Sequence, residues 1–375
     1  MELAKSIQQS PNLRCLLRYE KQLVRLGYAA TLSTAILYSN AHLGAQTLIQ
    51  GNEFKVNATT TNNQQVPSVA IDSDGDFVVV WESGGSQDGD GFGIFAQRYN
   101  NTGAAQGSEF KVNTTTSGLQ INPKVAMDSD GDFVVVWQSA DGSYDGIYAQ
   151  RYNNAGVPLG GEFKVNAVTT GSQDSPSVAM DSDGDFVVVW TGIDADGLGI
   201  FARRYDRTGV AQDVDFQVNT TDAGFQNTSA VAMDDDGDFV VAWQSSAQDG
   251  SDYGVYAQRF NKMGSAVNSE FRVNSNTLLL QGSPSVSMDS DGDFVVAWQS
   301  YYQDGSEYGV YAQRYSNTGA TQGAEFRVNA TTSFSQSNPN IDLDNSGDFV
   351  GRFGKVMVRI MTTTGYMPEF TTTWG

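Results

Sequence analysis

The sequence predicts an all-β protein, most simply a β-propeller of six four-stranded blades. Three observations predict it: a phrase that returns at a near-constant interval, turn signals that divide each interval into short strands, and a graded hydrophobicity across those strands. The phrase EFKVN stands at 53–57, 109–113 and 162–166, then returns as DFQVN at 215–219 and as EFRVN at 270–274 and 325–329. The spacings are 56, 53, 53, 55 and 55 residues. Periods of this size mark solenoids, propellers or arrays.

Each interval contains two further constant phrases. VAIDSDGDFVVVWES at 69–83 has copies starting at Val125, Val178, Val231 and Val286, and GIFAQRYN at 93–100 is matched by GIYAQRYN, GIFARRYD, GVYAQRFN and GVYAQRYS. The Asp-Gly turn between SVAMD and FVVVW is a strong hairpin signal. FVVVW is apolar at every position, so both of its faces must be covered. EFKVN alternates, which predicts Phe54 and Val56 inward and Glu53, Lys55 and Asn57 outward. SVAMD is built of small residues, as a strand crowded near an axis would be. A small inner strand, a buried second strand and an amphipathic outer strand describe a propeller blade.

The copies span 53–108, 109–161, 162–214, 215–269, 270–324 and 325–375. In the last copy the second phrase returns at Ile341 as IDLDNSGDFV, roughly ten residues are lost after Val350, and the pattern resumes at Gly354. Six copies of the first three strands leave the leading EFKVN free to serve as the outer strand of the last blade and close the ring. The alternative is an open array of β-blades. A β-solenoid usually repeats at ~20–30 residues, well short of this period.

Residues 1–45 read as an export leader ahead of a repeat domain at 46–375. Lys5, Arg14, Arg18, Lys21 and Arg25 precede the uncharged stretch Leu26–Tyr38, and Ser39-Asn40-Ala41 or Ala45 offers a cleavage site. The uncharged stretch is shorter than the ~20 apolar residues of a membrane span. No other segment reaches that length, so an integral membrane protein is not expected and the expected location is secreted or cell-surface.

Composition narrows the chemistry. Twenty-two Lys and Arg face 43 Asp and Glu, a net charge of −21 that repels phosphates and excludes nucleic acid as a partner while favouring cations, calcium above all. With 39% hydrophobic residues the chain can fold, unlike a disordered acidic chain. One cysteine, Cys15, and one histidine, His42, exclude disulfide scaffolds, zinc clusters and most nucleophile–histidine catalysis.

The pattern VAMDSDGDFVVVWQS…GIYAQRYN…EFxVN resembles the tandem repeats of very large secreted bacterial surface proteins of adhesin-like type. Its DSDGDFVVV segment is similar to FG-GAP/VCBS propeller repeats, whose Asp-rich loops bind calcium. The resemblance covers about residues 51–350 and implies a surface or secreted interaction protein. Where the integrin-type loop has a further Asp, this chain holds Val80, Val136, Val189, Ala242 and Ala297.

The acidic turns carry the main chemical expectation. Asp72, Asp74 and Asp76 recur as Asp128, Asp130 and Asp132, as Asp181, Asp183 and Asp185, as Asp234, Asp236 and Asp238, and as Asp289, Asp291 and Asp293. Three carboxylates around a glycine can contribute to a calcium shell. The same sequence also makes a plain hairpin turn in which Asp side chains accept backbone amides. The sixth loop, with Asn345 and Ser346, reads as shifted in register. Arg98, Arg151, Arg204, Arg259 and Arg314 occur once per copy, which favours a structural role within each blade over a single arginine site. Trp81, Trp137, Trp190, Trp243 and Trp298 end the buried strand and read as core anchors. The loop aromatics Tyr144, Tyr253, Tyr301, Tyr302 and Tyr308 are the candidates for contact with a glycan or protein ligand. Asn57, Asn113, Asn219 and Asn329 open glycosylation sequons.

The expected function is a secreted, calcium-stabilised interaction or adhesion module without catalysis. Catalysis needs unlike groups converging on one substrate, and the copies are nearly identical. The alternatives are a glycan-active enzyme of the sialidase or lyase type and a structural spacer.

Overall fold

The computed structural model describes residues 54–353 apart from 86, 143, 331 and 346, together with the strand segments Arg25–Leu26, Ala30–Thr31 and Val356–Ile360. The expected cleavage site lies outside the described residues. Among the described residues there is no helix, and so none long and apolar enough to cross a membrane.

The repeats fold as antiparallel four-stranded sheets in simple sequence order. Blade 1 comprises Gln64–Ile71, Phe77–Ser83, Gly93–Tyr99 and Ala105–Lys111. Blade 2 comprises Gln120–Met127, Phe133–Ala140, Asp145–Tyr152 and Phe163–Lys164. Blades 3, 4 and 5 begin with the inner strands Asp174–Met180, Gln226–Met233 and Gln281–Met288. A sixth sheet has the three strands Asn340–Leu343, Phe349–Phe353 and Val356–Ile360. The inner strands of successive blades lie side by side around the axis.

The fully apolar second strands are covered on both faces because each sheet packs between two others. Val78 and Val80 face blade 2 and meet Val125, Val135 and Trp137, while Phe77, Val79 and Trp81 face the opposite way, toward Val56. The same pattern repeats at every blade boundary, so the core is a series of layers between sheets. Within these layers Phe77 stacks on Tyr99 at 4.8 Å and Phe133 on Tyr152 at 4.9 Å. The tryptophans that end the second strands, Trp81, Trp137, Trp190, Trp243 and Trp298, are at most 2% exposed, as core anchors. Val56 accepts the Tyr99 hydroxyl at 2.9 Å, as Val165 of blade 2 accepts Tyr205 at 3.0 Å. The leading phrase thus stands to blade 1 as an outer strand stands to the blade that follows it.

The EFKVN strands depart from their alternation. The outer strand is only two residues long in blades 2, 3 and 5, and its asparagine, expected to face solvent, is buried: Asn57, Asn113, Asn166, Asn219, Asn274 and Asn329 are all 1–4% exposed. The reason is a side-chain replacement of the ladder. Asn166 Oδ1 accepts the Ile147 amide at 2.8 Å, taking the place of a backbone carbonyl, while its Nδ2 donates to Gln173 Oε1 at 2.8 Å and to the Val168 carbonyl at 2.7 Å. The carboxamide ends the outer strand of one blade and ties it to the first strand of the next. Burial also takes these sequons out of reach in the folded chain.

Every inner strand bulges at one place. Val66, Asn122, Ser175, Thr228, Ser283 and Asn338 have φ between 49° and 55°, and the pairing register shifts there in each of the first five blades. A proline follows the bulge residue at 67, 123, 176, 284 and 339, where a missing N–H does no harm.

Candidate functional site

The two ends of the propeller differ. One end carries the Asp turns, each a five-residue loop between the first two strands, with Gly75 and its counterparts at φ near 80–90°. Asp72 Oδ1 accepts the amides of Asp74 and Asp76, both at 2.9 Å, and Asp76 Oδ1 accepts the Asn101 amide at 2.7 Å. Asp128, Asp181, Asp234 and Asp289 repeat the first arrangement, and Asp132, Asp185, Asp238 and Asp293 the second. The middle residues Asp74, Asp130, Asp183, Asp236 and Asp291 are exposed to solvent.

The first and last carboxylates of these five turns are thus engaged by backbone amides, and the middle ones face solvent. Among the described residues no group of three His, Cys, Asp or Glu side chains is placed to hold a metal ion. Burial raises the pKa of Asp72, Asp128, Asp181, Asp234 and Asp289, and Asp181 is pushed up to about 6. The sixth loop keeps the common register, contrary to the sequence expectation. Asp344 Oδ1 accepts the Asp348 amide at 3.0 Å, and only the middle carboxylate is replaced, by Ser346. Neighbouring turns join directly, Ser73 Oγ donating to the Ser129 carbonyl and Ser129 Oγ to the Ser182 carbonyl, both at 2.9 Å.

Arg98 and Arg151 act between blades, whereas Arg204 pairs with Asp213 at 2.8 Å and Arg314 donates to Gln322 at 3.4 Å within their own blades, as expected. Arg98 donates to the carbonyls of Ala155 and Asn154 in blade 2, and Arg151 to those of Thr208 and Arg207 in blade 3. A guanidinium fork bridging two carbonyls is a clamp, and these side chains are not free to grip a carboxylate ligand.

The loop end carries what the repeat pattern hid. Asp145 occupies a position held by Phe92, Leu198, Tyr253 and Tyr308 in other blades, and Asp174 a position held by Gln65, Ile121, Asn227 and Gly282. Lys124 replaces Ser68, Ser177, Ala230 and Ser285, and Glu82 replaces glutamine or threonine. The four substitutions fall in blades 1 to 3, at or near the start of the inner strands. A chain of hydrogen bonds connects two of them, Glu82 and Asp145: Glu82 Oε1 accepts the Asn122 amide at 2.6 Å, Asn122 Nδ2 donates to Gln138 Oε1 at 3.0 Å, and Gln138 Nε2 donates to Asp145 Oδ2 at 2.9 Å.

Their electrostatics are as unlike as their identities. Burial raises the pKa of Asp174, and the negative charge of Asp145 raises it further. Burial likewise raises Glu82, which is 2% exposed. Lys124 is open to solvent by its surface yet surrounded by protein, as a side chain in a channel is, and this desolvation lowers its pKa. Among the described residues it has no ion-pair partner. Comparing the copies column by column would have found all four residues.

Of the loop aromatics, the structure brings together Tyr301, Tyr302 and Tyr308 on blade 5, at the loop end. Tyr253 is the blade-4 counterpart of Tyr308, and Tyr144 stands apart on blade 2 with 54% exposure.

No family model and no curated protein matches the sequence. The adhesin and FG-GAP/VCBS naming therefore has no support beyond the repeated four-stranded sheets. Solved structures do match the fold. A GH93 α-L-arabinofuranosidase of Fusarium graminearum, in complex with arabinobiose, superposes with TM-score 0.54 at 12% identity, over 80% of this chain and 90% of that one. An α-L-arabinanase of Penicillium chrysogenum, also with arabinobiose, gives 0.52 at 12%, over 77% and 88%. A protein of unknown function from Dyadobacter fermentans gives 0.50 at 11%, over 84% and 95%. The chain has the β-propeller fold.

Two expectations are corrected here. An adhesion module was inferred from the resemblance to surface-protein repeats, and the absence of catalysis from the near-identity of the blades. Two of the matching propellers are glycan-cleaving enzymes, an arabinofuranosidase and an arabinanase, and the blades are not identical where the unlike residues of blades 1 to 3 gather.

Proposed function

We propose that the chain is a glycan-active propeller enzyme working at the loop end of its axis, with Asp174 as proton donor and Asp145 as the partner carboxylate. The observation that carries the reading is the break in the repeat: two acids and an amine placed on adjacent blades 2 and 3, where the other copies have neutral residues. Unlike groups at one place are what glycoside cleavage needs, one carboxyl holding a proton and one carboxylate facing it.

The environments supply that division. Burial and the neighbouring charge raise the proton affinity of Asp174, which suits it to pass a proton to the leaving oxygen of the scissile bond. Asp145, oriented by the Gln138 amide, serves the sugar carbon as nucleophile or water activator. Lys124 offers N–H donors to substrate oxygens. Glu82 is buried and acts as a positioning residue through Asn122 and Gln138. A leader that exports the chain would suit a polysaccharide substrate outside the cell.

The arabinobiose held by two structural neighbours makes arabino-oligosaccharides the first substrates to try. The test is release of reducing ends from arabinan, arabino-oligosaccharides and other neutral glycans. Asp174→Asn and Asp145→Asn should each abolish it without lowering the melting temperature by more than a few degrees. A wild-type protein that releases nothing from any of them refutes the proposal.

A further inference from the structure

We propose that Tyr301, Tyr302 and Tyr308 form a stacking subsite for a neutral sugar unit, at the same end of the propeller as the carboxylates. The inference takes its ligand class from the glycan reading and its location from an independent observation. Blades 4 and 5 have the same loop between their second and third strands. Ala247 donates its amide to the Asp252 carbonyl at 2.6 Å, and Tyr302 donates to Glu307 at 2.7 Å. Gly250 and Gly305 donate to the carbonyls of Ala247 and Tyr302 at 3.1 and 3.2 Å. Gln248 reaches Glu270, and Gln303 reaches Glu325, both at 2.7 Å. Ala247 and Tyr302 even share a left-handed backbone, with φ of 60° and 61°.

Blade 4 builds this loop with Ser246 and Ala247, so the fold does not require tyrosine at either position. Blade 5 nevertheless places Tyr302 in a backbone region that large side chains avoid and leaves it 53% exposed. Its ring meets Tyr301 edge-on at 4.7 Å, and Tyr301 lies 5.0 Å from Tyr308. The cluster thus presents ring faces together with phenolic hydroxyls, which suits the C–H faces and hydroxyls of a sugar.

Charge selects among sugars. The loop 302–307 carries Asp304 and Glu307 and no cation, on a chain of net charge −21. Carboxylates accept hydrogen bonds from sugar hydroxyls but repel uronic acids. The occupant is therefore a neutral oligosaccharide.

The experiment is calorimetric titration of the full chain, in an Asp174→Asn background so that nothing is cleaved, with arabinohexaose, xylohexaose and a galacturonate hexamer. Tyr302→Ala should weaken the best neutral hexasaccharide about tenfold. The loop survives this change, as Ala247 in blade 4 demonstrates. Grafting Ser246→Tyr with Ala247→Tyr should create a second site and raise the stoichiometry from one to two. The subsite is refuted if Tyr302→Ala binds like its parent, if the graft adds no site, if no neutral hexasaccharide binds, or if the galacturonate hexamer binds as well as the neutral ones. Reducing-end release that persists in Asp174→Asn and Asp145→Asn, with binding to the tyrosines intact, would instead refute the catalytic assignment of Asp174 and Asp145.

Discussion

Replacing Asn166 with alanine removes three hydrogen bonds from a site without water access. Its Oδ1 serves the Ile147 amide at 2.8 Å, and its Nδ2 serves Gln173 Oε1 at 2.8 Å and the Val168 carbonyl at 2.7 Å. Ile147 is 0% exposed and Gln173 is 3% exposed, so at least two groups are left unpaired in the interior. Each orphan costs about 1–3 kcal/mol, giving roughly 4 kcal/mol for the substitution. Urea unfolding followed by the fluorescence of buried Trp190 measures it. The double variant Asn166→Ala with Gln173→Ala removes one orphan and should show a favourable coupling of about 1 kcal/mol. Asn166→Asp keeps the acceptor but buries a charge against the Gln173 oxygen, which raises its folded-state pKa, so stability should return as the pH falls from neutral and be fully recovered by about pH 4. A cost under about 1 kcal/mol for Asn166→Ala, or strict additivity with Gln173→Ala, would refute the idea that the carboxamide joins the blades.

Three further outcomes are expected. If Asp174 donates the proton, kcat falls as pH rises through its elevated pKa, and that alkaline limb is absent from any residual activity of Asp174→Asn; a pH–rate profile checks it. Asp181, pushed from 3.8 up to about 6, favours its protonated form in the folded state, so its contribution is fully present below pH 4 and lost as pH rises through 6. Asp181→Asn keeps the Oδ1 acceptor and should add about 1–2 kcal/mol at pH 7 after allowance for solvent screening, measured by thermal melts across pH. Calcium is tested by melting with millimolar ion and with chelator at fixed ionic strength. Turns already closed by amides should leave the melting temperature unchanged, whereas an increase would require the Asp side chains to exchange those bonds for the ion.

The architecture was legible because it is written many times over. FVVVW without a polar position could only be a strand covered on both faces, and the Asp-Gly turns fixed where it began. What misled was reading each copy for what it shares. The asparagine of EFKVN was assigned to solvent from strict alternation, which holds only while the backbone ladder continues. Here Asn166 replaces the ladder, and period-2 reasoning ends with it. Asp145, Asp174, Lys124 and Glu82 were overlooked for a related reason: a repeat signal rewards agreement, while catalysis resides in the exceptions. The shifted proton affinities of Asp174, Glu82 and Lys124 come first from burial among the packed blades, an environment no single copy contains.

The carboxamide joint also bears on how such a chain can change length. Its two halves, asparagine and glutamine, lie seven residues apart at all six joints, from Asn57 and Gln64 to Asn329 and Gln336, although the copies themselves differ by up to three residues. Both partners therefore travel on one short stretch of gene. Unequal crossing-over anywhere outside that stretch inserts or deletes a blade together with a complete fastening, so the number of blades can drift while every joint stays chemically whole. Divergence is then free to accumulate in the loops, where one copy can acquire an acid or a pair of tyrosines that its siblings lack.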